Sequence, residues 1–412
     1  MSPFIRTYGS GNENGYSDQW YVCSGDGKRW TNGSIGQLAL IFAHHYSKHQ
    51  LVPVGIINGA EGGRAIRYFL RNPQDTQAPD NFNRTLKRCR SAEAQNSIRA
   101  FVWYQGEQDA KNEMRGSEYF MLLQQLMDDY FSNYPGLEHC FMFQVRKGCS
   151  TPPDPIGEIQ RAQLDLDAQE ENIHLISSNY AEHDGCHFYL AGYRRLAERL
   201  IRQVSFFVNH DSSITNPVSP KIKSIGFQND STLLVTIQDA QLPLESDGEV
   251  ARDFKIEWFD LHPYRVSAIG HQLVLYFNQP IPWAYQLSFT GHEGPAYPGI
   301  FDARKEGLLS FYEVPITNAN VPPQPNTNDL SNQDLWTLRW LSETLLEVEY
   351  LGNLQPITLQ MQVLDAGGIP LDQFKIKLNR IMHIPVDHLP TGIYFLKIQA
   401  GKITWVLPFS KR

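Results

Sequence analysis

The chain has 412 residues, a formal net charge of −8 and a sequence pI near 5.9. That length exceeds what one compact core serves, so two or three domains are expected, and the acidic balance excludes a nucleic-acid or anionic-membrane partner, since either asks for a basic surface. No apolar stretch approaches the ~20 residues that cross a bilayer, and Met1-Ser2-Pro3-Phe4-Ile5-Arg6 holds no apolar signal core, so neither membrane insertion nor a signal peptide is read here.

In chain order, residues 1–33 are rich in Gly, Asn, Ser and aromatics, with strand-like pieces only at 4–8 and 19–23. The spacing of Ile35, Leu38, Ala39, Phe42 and Ala43 predicts a helix over about 34–49, with Ser34 as its cap. His45 and His49 lie one turn apart in it, but no third metal ligand is near in sequence, and a solvated helix end is the simpler reading. A buried strand over 52–58 is closed by Gly59-Ala60-Glu61-Gly62-Gly63. Paired glycines there either make a plain tight turn or let a backbone amide approach a ligand.

A helical segment over about 81–96 leads to a strand over 100–104, which ends on Gln105, Gly106 and Glu107. Polar and flexible residues at a strand's C-terminal tip are what a site collects. A helix over 117–134, a strand over 140–145, a Pro-rich loop over 151–155, a helix over 157–169 and a strand over 173–178 follow. Strands alternating with helices predict a parallel sheet with right-handed crossovers.

The stretch after the last of these strands, Asn179-Tyr180-Ala181-Glu182-His183-Asp184-Gly185-Cys186-His187, carries the clearest chemistry. An Asp three residues before a His can turn its carboxylate onto one ring nitrogen, fixing the tautomer and leaving the other free to take a proton. A capping Asp beside an ordinary surface His is the plainer alternative. A packing helix follows, with Leu190, Tyr193, Ala197, Leu200, Ile201 and Val204 on one face. Three strand tips thus converge, carrying Gly62/Gly63, Gln105/Glu107 and Asp184/His187. Five cysteines, at 23, 89, 140, 149 and 186, are an odd number without metal-type spacing, so no disulfide framework is expected and Cys186 reads as a bystander. No metal and no cofactor are called for.

After about residue 209 the texture changes. Residues 210–320 show short alternating segments split by Gly, Pro and Asn turns, which predicts an antiparallel β-sandwich. Residues 321–327, with Val321-Pro322-Pro323-Gln324-Pro325-Asn326, read as a stiff linker. Residues 328–412 are again all strands, ending in a hairpin turned at Ala400-Gly401-Lys402.

With these pieces placed, residues 1–209 resemble the sialate O-acetylesterase branch of the SGNH hydrolases. The matching blocks are Val52 to Ile57 with Gly62-Gly63, then Val102-Trp103-Tyr104-Gln105-Gly106-Glu107, then 158–163, then Asp184-Gly185-Cys186-His187 with Gly192-Tyr193-Arg194. The resemblance implies a flavodoxin-like three-layer α/β sandwich with a parallel sheet, ahead of two all-β domains. It also implies removal of O-acetyl groups from sialic acids or polysaccharides through a serine acyl-enzyme, with acetylated carbohydrate as the partner. Carried over by position, His187 is the general base and Asp184 its orienting carboxylate. The amides of Gly62 or Gly63 and of Gln105 join the oxyanion hole, with Gly106 beside them and Glu107 bracing the loop.

The family's Gly-Gln-Ser-Asn nucleophile block after the first strand is not found in this chain. The expectation is therefore a catalytic domain short of its serine and of a central strand, with two sheet edges unpaired. Ser24 is the best internal substitute, ahead of Ser10 and Ser34, although the helix after it starts too late for a nucleophile elbow. The C-terminal segment Pro390-Thr391-Gly392-Ile393-Tyr394-Phe395-Leu396-Lys397-Ile398 is similar to the sorting domains Bacteroidetes use for type IX secretion, which implies a secreted or surface-attached protein and the secretion machinery as a partner. A non-catalytic carbohydrate-binding or surface protein on an esterase-like fold is the reading from another class.

Overall fold

The structure, a computed structural model, describes residues 2–9, 17–25, 32–72, 80–247, 249–257, 261–281, 286–294, 299–317, 336–342, 345–350, 358–377, 381–400 and 403–411. Ser10, the linker expected at 321–327 and the turn residues Gly401 and Lys402 lie outside them. The chain divides into two units, Met1–Gln279 with Gln286–Ile316, and Pro280–Tyr285 with Thr317–Arg412. The expected boundary near 209 separates helices from strands, yet both sides of it sit in the first unit.

That unit begins with β1 (Ile5–Tyr8), β2 (Trp20–Val22), α1 (Gln37–Gln50) and β3 (Val54–Gly55). It continues with α2 (Asn81–Ser91), β4 (Ala100–Trp103), α3 (Glu107–Lys111), α4 (Gly116–Asn133), β5 (His139–Phe143), α5 (Pro153–Gln169), β6 (Ile173–Ile176) and α6 (Leu190–Phe207). Local chemistry sets several of these starts. Asp80 caps α2 by accepting the Asn83 N–H at 2.6 Å. Pro153 opens α5 where no N–H is needed. Ser34 is not the cap of α1: the helix starts at Gln37 behind Gly36, and no side chain caps it. A glycine with φ +77 makes the entry turn there, two residues later than the apolar spacing suggested.

β4, β5 and β6 run parallel, with Phe101 opposite Cys140 and Cys140 opposite Ile173. Along β5, Cys140 and Met142 enter one core while Phe141 and Phe143 enter the other, as in a strand covered on both faces. The first face is packed by Phe82 and Leu86 of α2, Leu123 and Leu126 of α4, and Ile159 and Leu166 of α5. The second takes Leu38 and Phe42 of α1 with Leu196, Leu200 and Val204 of α6. The result is a helix–sheet–helix sandwich. The sheet itself comes in two pieces of three strands, ordered β2-β1-β3 and β4-β5-β6. β3 and β4 are therefore both edges, and Val102, in the middle of β4, is 41% exposed.

The rest of the first unit is antiparallel. β7 (Lys221–Asn229), β8 (Thr232–Gln238), β11 (Arg265–Ile269) and β12 (Gln272–Tyr276) make a sheet in the order β11-β12-β8-β7. β10 (Phe254–Ile256), β13 (Gln286–Phe289) and β15 (Phe311–Pro315) make a second, and β9 (Glu245–Ser246) pairs with β14 (Ile300–Phe301). Arg199 of α6 joins this layer to the α/β layer. Buried, it donates to the carbonyls of Ser177, Asn179, Tyr180 and Lys305 and lies 4.0 Å from the Glu306 carboxylate.

The second unit holds β16 (Trp336–Ser342), β17 (Leu345–Tyr350) and β20 (Ile381–Pro385) in one sheet. β18 (Thr358–Leu364), β19 (Pro370–Lys377), β21 (Gly392–Ala400) and β22 (Ile403–Lys411) form the other. Leu346, Val348, Met361, Leu396 and Ile398 fill its core. The final hairpin pairs Ala400 with Ile403.

Candidate active site

The parallel strands β4, β5 and β6 end at one edge of the sheet, and the polar groups there are connected by buried hydrogen bonds. Beyond β4, Gly106 takes φ +139, and a Cβ on it would lie 2.8 Å from Ile159 and 3.3 Å from Val145, so only glycine makes this turn. Gln105, just before it, is buried. Its amide group donates to the Arg64 carbonyl at 3.0 Å and to the Asp109 carboxylate. Its side-chain oxygen accepts from Tyr119 at 3.1 Å. Asp109 also accepts the Ile66 N–H at 3.0 Å, and burial holds its carboxyl above the usual carboxylate range. Together these bonds tie the Gly62-Gly63 turn to the β4 tip. Gly63 has φ +72, and the space beside both glycines is open.

Gln163 of α5 extends the connection to β5, donating to the Gln105 carbonyl at 3.0 Å and accepting the Val145 N–H at 2.8 Å. Arg146 carries it to the third tip by donating to the Cys186 carbonyl at 3.2 Å. Glu107 lies in the same neighbourhood. Burial raises its carboxyl, and the positive charge of Arg146, which also acts on Asp184, opposes that rise.

Asp184 and His187 occupy a tight loop. One Asp184 oxygen accepts the N–H groups of His187 at 2.6 Å and Cys186 at 2.8 Å, and these bonds hold its carboxyl below the usual range. The other oxygen is 3.9 Å from His187 Nδ1, a charge contact rather than a hydrogen bond. The His187 side chain is 79% exposed and that of Asp184 is 44% exposed. Among the described residues no hydroxyl is hydrogen-bonded to His187. Ser24 pairs through its backbone with Ser34, and its own hydroxyl is buried without a partner.

The cysteine reading is corrected here. Cys149 and Cys186 form a disulfide, while Cys23, Cys89 and Cys140 are free and buried. The two partners stand 37 positions apart but at the tips of neighbouring strands, a proximity that an odd total and scattered spacing conceal. Cys186 is thus the covalent anchor of the His187 loop. Asp109, Gln163, Tyr119 and Arg146 were likewise not singled out from sequence. Asp109 left a faint trace, an acidic residue in the first turn after a strand tip, and Gln163 closes the matching block 158–163 without a role read for it; Tyr119 and Arg146 left none.

Residues 28–205 match the sequence model of a family described as carbohydrate esterase, sialic acid-specific acetylesterase. The class that this match and the layered sheet define is a carbohydrate-acetylesterase-like α/β fold with a parallel sheet, followed by a β-rich region. Among solved structures the chain is similar to a carbohydrate acetylesterase from Xanthomonas citri. The two share 13% identity over 75% of this chain and 73% of that one, with a TM-score of 0.57. A protein with an immunoglobulin-like β-sandwich fold from Bacteroides vulgatus is matched at 17% identity over 19% of this chain and 84% of that one, with a TM-score of 0.17. No curated protein matches the chain in sequence.

Proposed function

We propose that the first unit is the catalytic frame of a carbohydrate O-acetylesterase acting on O-acetyl groups of sialic acids or polysaccharides. The supporting observation is the buried hydrogen-bond chain that joins the Gly62-Gly63 turn, the Gln105 tip and the Asp184–His187 loop at one end of a parallel sheet, where such sheets keep their chemistry. In this reading His187 deprotonates a serine and later a water, and Asp184 steadies the imidazolium. The N–H groups of Gly62 and Gly63 receive the oxyanion, each such donor being worth about 10²-fold in rate. Gln105, with its amide protons already engaged, holds that turn in place. Among the described residues no serine hydroxyl is hydrogen-bonded to His187, and the serine is the part of the site this reading leaves to be supplied. Among the described residues β3 and β4 are both sheet edges, and in this reading a further strand parallel to them would deliver one at the same sheet end.

The test is acetate release from O-acetylated sugars and p-nitrophenyl acetate. The full chain is expected to run near background. A chain extended before residue 1 by a strand ending in Gly-Gln-Ser-Asn is expected to gain turnover that His187→Ala removes. Robust turnover by the unextended chain, lost in both His187→Ala and Ser24→Ala, would place the nucleophile at Ser24; turnover indifferent to His187→Ala in any form would end the reading.

Export belongs to the same proposal, because a disulfide on the working loop suits an oxidising compartment. The second unit is then the sorting element. Residues 328–412 fused to a reporter in a bacterium with type IX secretion should carry it outside the cell, and a reporter left in the periplasm would refute that role.

A further inference from the structure

The loop that carries His187 is joined to its neighbour by a disulfide that the ester chemistry does not use. Cys149 and Cys186 are both half-buried, and Ser150 beside Cys149 is exposed, so a solute can reach the bond. The two sulfurs stand in different surroundings. That of Cys186 lies 3.8 Å from His187 Nε2, within reach of a sulfur hydrogen bond. Among the described residues no side chain hydrogen-bonds the sulfur of Cys149.

Opening the bond does not set the two arms loose. The Cys149 N–H donates to the Gly185 carbonyl at 3.1 Å, and the buried Arg146 guanidinium donates to the carbonyls of Lys147 at 2.5 Å and Cys186 at 3.2 Å, gripping both sides. Thiols released there stay opposed, and the bond can close again. The difference in surroundings fixes a direction. In thiol–disulfide exchange the sulfur that leaves is the one whose thiolate is better stabilised, and an imidazole able to supply a proton or a positive charge does this. Cys186 has such a ring beside it and Cys149 does not. Arg146 touches both arms and does not distinguish them. The Asp184 carboxylate works against a thiolate at Cys186, but one of its oxygens is already shared by the N–H groups of Cys186 and His187.

We propose that the Cys149–Cys186 bond is a thiol-exchange site whose co-reactant is a dithiol, with Cys149 as the sulfur attacked and His187 as the acid for the departing Cys186. One thiolate of the reductant bonds to Cys149 Sγ, the Cys149–Cys186 bond breaks, and its electron pair leaves on Cys186 Sγ, which takes the proton from His187 Nε2. The second sulfur of the reductant then bonds to the first, Cys149 departs with the proton that this second thiol gives up, and the imidazole recovers its own from the first thiol by way of water. Two electrons and two protons pass from the dithiol to the disulfide. No serine and no ester takes part, so this exchange and the esterase reading can fail separately.

Reduction of the full chain by dithiothreitol without denaturant, quenched with iodoacetamide and followed by peptide mass mapping, tests the site. The bond should open in the folded chain. His187→Gln and His187→Ala should each slow its opening by more than about threefold, the glutamine keeping much of the ring's bulk without its acid. In the reduced folded chain Cys186 should take up iodoacetamide more than about threefold faster than Cys149, and that lead should vanish in His187→Gln and in urea. Cys23, Cys89 and Cys140, all buried, give the slow reference in the same map. Should either His187 variant fail to fold by circular dichroism, the labelling order in the unaltered chain still decides. A bond that opens only in urea, opening that neither His187 variant slows by more than about threefold, or a smaller lead of Cys186 over Cys149 overturns the proposal.

Discussion

At the tip of β4 the polar side chains are dry and fully engaged: Gln105, Asp109, Tyr119 and Gln163 hydrogen-bond one another or nearby backbone, and all four are buried. At the tip of β6 the arrangement is reversed. His187 stands in solvent, and the loop that carries it is held from beneath, by the Cys149–Cys186 disulfide, by Arg146 and by the two N–H bonds to Asp184. The difference separates two physical tasks. A turn that must keep its shape is braced by satisfied buried bonds, whereas a ring that must exchange protons stays wet and borrows its rigidity from its neighbours.

The largest expected effect falls on the wet tip. Cys149→Ser with Cys186→Ser opens a loop of 37-residue separation, worth about 3–4 kcal/mol of chain entropy in urea denaturation. Amide exchange should then quicken at 184–187 and hold steady at 105–109; equal quickening at both tips would erase the distinction between them. Asp109→Ala, at the dry tip, takes the acceptor from the Ile66 N–H and from one of the two Gln105 amide N–H groups and should cost about 2–3 kcal/mol, with Asp109→Asn recovering part of it. An Asp109→Ala chain as stable as the parent would show that the brace is ornamental.

A smaller effect is readable in the pH dependence. Burial, with help from Arg146 and His292, pulls the His183 ring down to about 4 from its ordinary 6.5. Above pH 6.5 the ring is neutral folded or unfolded and contributes no slope. Below it the unfolded chain takes up a proton that the folded site refuses, so stability falls until about pH 4, where the folded site accepts one. His183→Gln should reduce the slope over that stretch, while His174, drawn down to about 3 by burial, and His139, also lowered by burial, keep part of it. Asp184 acts with the same sign in a more acidic window. Its contribution is present above its unfolded value and lost as pH falls through its lowered folded one, so protection of the 186 and 187 amides should persist below pH 4. The smallest change belongs to His187→Ala, which, at a side chain 79% exposed, should move stability by no more than about 0.5 kcal/mol. A larger loss would mean that the ring packs rather than works.

The order of elements from β1 to α6 apart from the short α3, the parallel run of β4, β5 and β6 and the all-strand character after residue 209 were written into periodicity and turn residues, because a 3.6-residue or two-residue repeat is a local property that needs no knowledge of what it packs against. So was the placement of Gly62, Gly63, Gln105, Glu107, Asp184 and His187 at strand ends. The partners of those residues were not legible. That Cys149 meets Cys186, that Asp109 braces the turn before Ile66, that Arg199 fastens the β6 loop to the sandwich and that Arg146 reaches the carbonyls of Cys186 and His292 are contacts between segments distant along the chain. Such contacts are chosen by how layers stack and which strand tips become neighbours, and one-dimensional spacing carries no record of that choice.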